Sequence, residues 1–589
     1  MFSDKSLGFQ GEISDLRIAV TAKESLAADR PRTPDLDLVQ MAHDAFRYLL
    51  MTPRPHLDYA CRFANFLAEC PPGRPGEDLV ANGDSDCRMD WEYMYLRDMT
   101  GRLDSLEVDA GVRRRLLGYV TAEGYALAAG GIYCGGDVDP AHYYISPWTT
   151  GKIMYSLAET FARTGDASAR TTARKLFLGL KSLATIQGNT AWFAGGCGPY
   201  HNGKWYDTFV TYNYGVSTEP VLHYARLTGD KEALAFAAML ARGTVAGMQA
   251  NLGDRRIRED GSFADHTHLH THEIWGVADA AATFGDAALL DWVRRVYTFV
   301  TRMGGDSGFF PERMDLPDTV CWDGNPERVF ASETCITGDM VNIAACLAHA
   351  GLSEYYDHIE RFIRNYLRRV QFFVTPEVEM FYRARHASRS SAEVEAGLAI
   401  LRSEYAGGFL GHVGINDWNS CIIPDLAMVG CCVPEGMRAL YTAWKESVTS
   451  DAEGVTVHLS FTRETPEVSV YSWLPDYGRL TITMKRPGSL RVRVPTWARS
   501  AQVLASCNRN ALPLIIRDEY LCVTDLLAGD VINFAFDLPA FTQQLAIGGN
   551  PVTQRSVSYT WRGNTITGIS EPGEAFPLYP LLPHDLQSV

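Results

Sequence analysis

The chain has no run of 18 uninterrupted apolar residues, so nothing in it reads as a membrane span. Basic residues are in the minority. Against 70 Asp and Glu there are 54 Lys and Arg, a formal charge of −16 that repels phosphate and argues against a nucleic-acid or anionic-membrane partner. The opening MFSDKSLGFQGEISD has no basic stretch leading into an apolar one, so no secretory signal is read there and a cytoplasmic location is expected. Cysteines number 13, an odd count scattered without a CxxC pair. That excludes a small disulfide framework and favours reduced thiols.

What is present is ordinary globular composition, 46% hydrophobic and 21% charged, in 589 residues. Such a length exceeds one core and predicts two to four domains. Residues 1–34 are polar apart from an alternating patch from Ile13 to Val20, expected to be a strand added to a sheet late in the chain. Across 35–445 the apolar period is helical, beginning with Leu38, Met41, Ala42, Ala45, Phe46 and Leu49. Gly165, Gly229, Gly285 and Gly351 each end an apolar helix and precede a polar capping segment. Their spacings of 64, 56 and 66 residues match one helical hairpin plus its connections. About six such units fill the span, which predicts a closed (α/α)₆ toroid. Residues 446–545 switch to period two and predict an antiparallel β-sandwich; 546–589 read as irregular with one further hairpin around Ser556–Ile569. The fold class is therefore multidomain α+β.

Two short stretches carry the densest chemistry. Ser332-Glu333-Thr334-Cys335 and Gly430-Cys431-Cys432-Val433-Pro434 together offer one carboxylate and three thiols, the inventory of a tetrahedral Cys₃Glu zinc site. The other reading is buried free cysteines of a core. Between them in interest lies Asp265-His266-Thr267-His268-Leu269-His270-Thr271-His272-Glu273. As a helix this run pairs His266 with His270 and His268 with His272; as a loop before a helix at Ile274–Phe284 it lines the toroid mouth and binds a polar ligand. A separate metal site and plain surface histidines are also open. Aromatic residues gather in loop-like stretches, Trp148 and Tyr212 among them, and suit carbohydrate.

Glu333-Thr334-Cys335, Cys431-Cys432-Val433-Pro434, the helical repeat before them and the β-sandwich after them resemble glycoside hydrolase family 127, the β-L-arabinofuranosidases. The resemblance implies zinc held by Glu333, Cys335, Cys431 and Cys432, with Cys431 as the nucleophile. It implies an acid/base glutamate in the Gly304–Glu312 segment, hence Glu312, with Glu327 as rival because extra residues separate the motifs. It matches His266 to a family histidine opening a helix and Tyr382 to a family tyrosine. His268, His270, Trp148 and Tyr212 complete the expected sugar-binding set. The family's Cys-Cys-Pro-Pro is Cys-Cys-Val-Pro here, and His268, His270 and His272 stand where the family commonly has amide side chains.

The expected activity is a retaining glycoside hydrolase acting on a small furanoside through a zinc-held thiolate. A small carbohydrate is the partner, and a homodimer is the oligomer the resemblance allows. The alternatives are an (α/α)₆-barrel sugar epimerase or uronate lyase/hydrolase using His, Glu or Tyr, and a non-catalytic carbohydrate-binding protein with a structural zinc.

Overall fold

A computed structural model describes residues 20–29, 36–61, 64–73, 84–129, 143–145, 147–193, 198–201, 204–205, 217–247, 257–318, 326–421, 426–498 and 502–581. The chain divides into a helical unit, residues 38–414 with 418–444, and a β unit formed by residues 1–37, 415–417 and 445–589. Among the described residues no helix is long and apolar enough to cross a membrane.

The helical unit is a toroid of hairpins. Six helices form its inner ring: α1 (Asp84–Thr100), α2 (Pro147–Thr164), α3 (Thr218–Thr228), α4 (Thr267–Phe284), α5 (Thr334–His349) and α6 (Cys432–Ser447). Pro147–Thr160 of α2 and Thr334–Ala348 of α5 are buried on every face, as inner helices must be. Their partners, such as Ala167–Leu183 and Ala287–Gly304, bury one stripe only. Successive inner helices pack on one another from α1 to α5. The ring closes through α6, where Thr442 donates to Asn342 of α5 at 2.7 Å and Glu435 accepts from Arg88 of α1 at 2.8 Å.

The repeated glycines make the inner-to-outer turns. Gly229 and Gly285 sit at φ 72° and 62°, a left-handed conformation cheap for glycine, and each donates its N–H back into the preceding helix. Asp230 and Asp286 then cap the next helix by accepting from its first free N–H groups. The histidine run departs from its loop reading. The helix starts at Thr267 rather than Ile274, so His268, His270 and His272 lie in its first two turns.

In the β unit a five-stranded and a six-stranded sheet enclose Val457, Val468, Ile482, Leu490, Val492, Phe534 and Phe536, all essentially inaccessible. Among the described strands of these two sheets the pairing is antiparallel except that Gly454–Val457 runs parallel to Gly488–Arg493. Ala540–Ile547, Arg555–Arg562 and Thr565–Ile569 add a three-stranded meander. Val20 bridges Leu538; the rest of the alternating patch, Ile13 to Ala19, lies outside the described residues.

Close approach of α5 to α6 depends on Gly338, where an added Cβ would fall 2.8 Å from the Glu435 carbonyl oxygen. Gly338→Ala is expected to lower unfolding free energy by about 1–3 kcal/mol in denaturant titration, with the helical circular dichroism of the folded protein unchanged.

Candidate metal centre and active site

All six inner helices point their N-termini to one end of the toroid. The contacts require it: Cys335 at the start of α5 meets Cys432 at the start of α6, and Trp148 at the start of α2 meets His272 in the second turn of α4. Converging N-termini give that end a positive potential, favourable for thiolates and carboxylates.

Short strands hold the functional side chains above the ring. β1 (Asp265–His266) pairs with β2 (Arg313–Met314), and β3 (Ala331–Glu333) pairs with β4 (His412–Gly414), which sets Glu333 opposite His412. Glu312 is tied on both sides of its peptide: its N–H donates to Ala331 and its carbonyl accepts from Thr267 N–H. β5 (Ala427–Val429) pairs with Ala64–Phe66 and leads into Cys431. Two non-glycine residues are held at positive φ directly upstream of these segments, Asp265 at 91° before His266 and Leu426 at 45° before β5. Strain of this kind persists where the surroundings over-determine it; Arg313 clamps the Asp265 carboxylate.

Glu333, Cys335, Cys431 and Cys432 come together although about a hundred residues separate the two pairs. One ligand atom of each lies within 4.8 Å of the other three, all buried, and the set can hold a metal ion. Cys335 and Cys432 sulfurs are 3.2 Å apart and Cys431 and Cys432 sulfurs 3.7 Å. Glu333 Oε1 is 3.7 Å from Cys431 Sγ and 3.6 Å from Cys432 Sγ. A tetrahedral ion with ~2.3 Å bonds to sulfur and ~2.1 Å to oxygen needs ligand–ligand edges of ~3.5–3.8 Å. The cluster is close to that shape, so these residues fit the ion.

The three sulfurs are not equivalent. Burial pushes the Cys335 and Cys432 thiols well up. Hydrogen bonds from those two push the Cys431 thiol well down, with Arg88 adding to the effect. Cys431 also keeps 7% exposure where Cys335 and Cys432 keep none. Burial alone would raise Glu333, but His266, then His268 and His412, hold its carboxyl well below the usual range.

His266 joins this cluster to the acid/base candidate: its Nε2 lies 2.8 Å from Glu333 Oε2 and 3.8 Å from Glu312 Oε1. Glu312 is buried at 4% exposure, with Arg313 Nε 3.3 Å and Arg328 Nη1 3.4 Å from its carboxylate. Glu327 is exposed on the turn Pro326–Phe330, and it is the neighbouring Arg328 that reaches the site.

Beneath the sulfurs lies a polar floor. Asp339 accepts from His268 Nδ1 at 2.8 Å, from His272 Nδ1 at 3.0 Å and from Thr271 Oγ1 at 2.7 Å. The Trp148 indole stacks on His272 at 5.0 Å, with Lys152 Nζ 4.4 Å and the Arg88 guanidinium 4.9 Å from its ring centre. Arg88 and Lys152 hold Glu435 ionised against its burial. Lower still, Arg438 donates to Glu219 and to Tyr155 and covers Trp275 at 4.0 Å.

Three expected sugar contacts stand apart. His270 turns back, Nδ1 2.9 Å from the His266 carbonyl and its ring stacked on Phe263 at 4.3 Å, because it sits on the helix face opposite Asp339. Tyr382 belongs to the Pro376–Arg385 helix, donates to the Glu69 carbonyl and packs on His386, so it lies outside the cluster. Tyr212 lies outside the described residues. Conversely, Asp339 and Glu435 were not read from the sequence. Each lies four residues after a proposed ligand, Cys335 and Cys431, and that helical spacing was the available signal.

No family model matches the chain, and no curated protein matches it. Solved structures do. A GH127 β-L-arabinofuranosidase from Geobacillus stearothermophilus T6 aligns over 93% of this chain and 83% of its own, with 16% identity and a TM-score of 0.54. A GH127 β-arabinofuranosidase aligns over 90% of this chain and 81% of its own at 14% identity, TM-score 0.57. A third structure, described as a glycoside hydrolase, aligns over 82% and 77% at 16% identity, TM-score 0.53. The chain thus shares the fold of these glycoside hydrolases, a helical toroid with accompanying β domains.

The Arg88–Glu435 pair is wholly buried, with side-chain exposures of 2% and 1%. Lys152 also faces Glu435, at 3.7 Å, so the carboxylate serves two buried cations. Glu435→Leu, which strands both, is expected to cost about 3–5 kcal/mol in equilibrium unfolding, and Arg88→Met, which leaves Lys152 in place, less.

Proposed function

We propose that this protein is a retaining glycoside hydrolase of β-L-arabinofuranosidase type, with Cys431 as nucleophile and Glu312 as acid/base. The observation that carries the reading is the gathering of Glu333, Cys335, Cys431 and Cys432 into one cluster in which Cys431 alone of the three cysteines keeps surface exposed. The fold shared with GH127 enzymes supports the same assignment.

Glu333, Cys335, Cys431 and Cys432 would hold a zinc ion. When bound, the ion supplies charge that keeps the coordinating thiols deprotonated at neutral pH. Cys431 Sγ attacks the anomeric carbon as the bond to the leaving oxygen breaks, and Glu312 gives that oxygen its proton. The roles of Glu312 then reverse. It takes a proton from water, the water oxygen bonds to the anomeric carbon, and the carbon–sulfur bond breaks to return the Cys431 thiolate. In an ordinary retaining enzyme two carboxyl groups divide this work; here a sulfur replaces one of them. His266, bridging Glu333 and Glu312, keeps the acid/base in register with the nucleophile. Arg313 and Arg328 hold the Glu312 carboxylate in place.

Activity on aryl β-L-arabinofuranosides tests the reading. Cys431→Ser is expected to abolish turnover, and Glu312→Gln to lower kcat by about 10²–10⁴-fold for poor leaving groups and far less for nitrophenolate. Glu327→Gln is expected to be close to wild type. Full activity in Cys431→Ser would remove the nucleophile assignment.

A further inference from the structure

The two carboxylate oxygens of Glu312 meet different surroundings. Oε2 is fully enclosed and faces Arg313 Nε at 3.3 Å, an arginine 9% exposed and clamped on Asp265. Oε1 lies 3.8 Å from His266 Nε2 and 3.4 Å from Arg328 Nη1, and those two side chains keep 20% and 24% exposure. A ligand can therefore approach the neighbours of Oε1 and not those of Oε2, which makes Oε1 the oxygen that exchanges a proton with it. Its two cationic neighbours differ in place. His266 also pairs with Glu333, so it marks the sulfur side of the carboxylate. Arg328 comes from the turn Pro326–Phe330, where Glu327 is exposed.

That turn is anchored at several points. Val329 and Phe330 are buried behind Arg328. Ala331 accepts from the Glu312 N–H at 2.7 Å, and the Glu327 carbonyl accepts from Cys421 Sγ at 3.1 Å. Arg328 is thus delivered to Glu312 over a short, hydrogen-bonded stretch of backbone. A guanidinium held this way has a planar fork that suits a carboxylate.

The geometry of displacement places the ligand. The leaving oxygen departs opposite the attacking Cys431 sulfur, and it is the oxygen that Glu312 protonates. Whatever is attached to it extends from Oε1 away from the sulfurs, toward Arg328. Charge points the same way. Glu312 must carry a proton before it can give one, and in that form the negative charge facing Arg313 and Arg328 is gone. Asp265 still balances Arg313; a carboxylate on the leaving group would balance Arg328 at that step.

We infer that Arg328 determines specificity for the leaving group, and that the aglycone released bears a carboxylate, as a uronic acid does. The inference rests on the glycosidase reading for placing a leaving group beside Glu312.

The zinc-loaded, full-length protein is assayed on meta- and para-carboxyphenyl β-L-arabinofuranosides, each against its carbamoylphenyl counterpart. The amide is the neutral isostere and the better leaving group, so bond breaking alone favours it. Wild type is expected to favour at least one carboxylate by about 10–100-fold in kcat/KM, the range of a charge-assisted hydrogen bond. Arg328→Gln should abolish that preference, and Arg328→Lys should restore part of it. The ratio is taken within each variant, so a general loss of rate cancels. Glu327→Gln should leave the ratio at least as high as in wild type. Calorimetry on Cys431→Ser should show the carboxylate bound more tightly than the amide, and the difference lost when Arg328→Gln is added. A wild-type ratio at or below one, or a preference that survives Arg328→Gln, would overturn the inference while hydrolysis upheld the glycosidase reading. Selective binding without hydrolysis of any aryl furanoside would sink that reading and leave the Arg328 contact standing. Neither hydrolysis nor selective binding would remove both.

Discussion

The structure depends on gathering three sulfurs and a carboxylate in one buried volume. Such groups repel when ionised and are costly to desolvate. They are tolerable together only if positive charge meets them, and the fold provides it in layers. The N-termini of α5 and α6 meet at the cluster, Cys335 and Cys432 lying in their first turns. His266 and His412 flank Glu333, and Arg88 acts on Cys431 from below. The four groups lie close enough together to hold a metal ion.

The β-connections exist to hold this arrangement from above. Glu333, Glu312, His266 and Cys431 arise from four separate segments, yet their backbones are hydrogen-bonded into one another through paired strands of two or three residues. Positive φ at Asp265 and Leu426 marks where that stitching forces the chain. Below, Arg88, Glu435, Lys152 and Arg438 form a charged interior that fixes the inner helices against each other. Stability and site geometry therefore share the same residues.

Much of this was legible in the sequence, for identifiable reasons. The Gly-Asp turns were readable because each couples a left-handed glycine to a capping aspartate, a purely local requirement met at Gly229-Asp230 and Gly285-Asp286. Glu333, Cys335, Cys431 and Cys432 were readable because three thiols and a carboxylate in two short motifs form a chemical inventory without needing coordinates. Asp339 and Glu435 escaped because a buried carboxylate in an apolar helix declares nothing until its partners, from other hairpins, are known. His270 misled for the complementary reason: alternation within the run could not reveal which histidines face inward once the helix begins at Thr267.

Zinc K-edge X-ray absorption on the purified protein tests the central claim most directly. The account predicts one ion per chain with three sulfur scatterers at about 2.3 Å and one oxygen at about 2.0–2.2 Å. A protein that retains no metal, or holds it in a shell of nitrogen and oxygen alone, would contradict it.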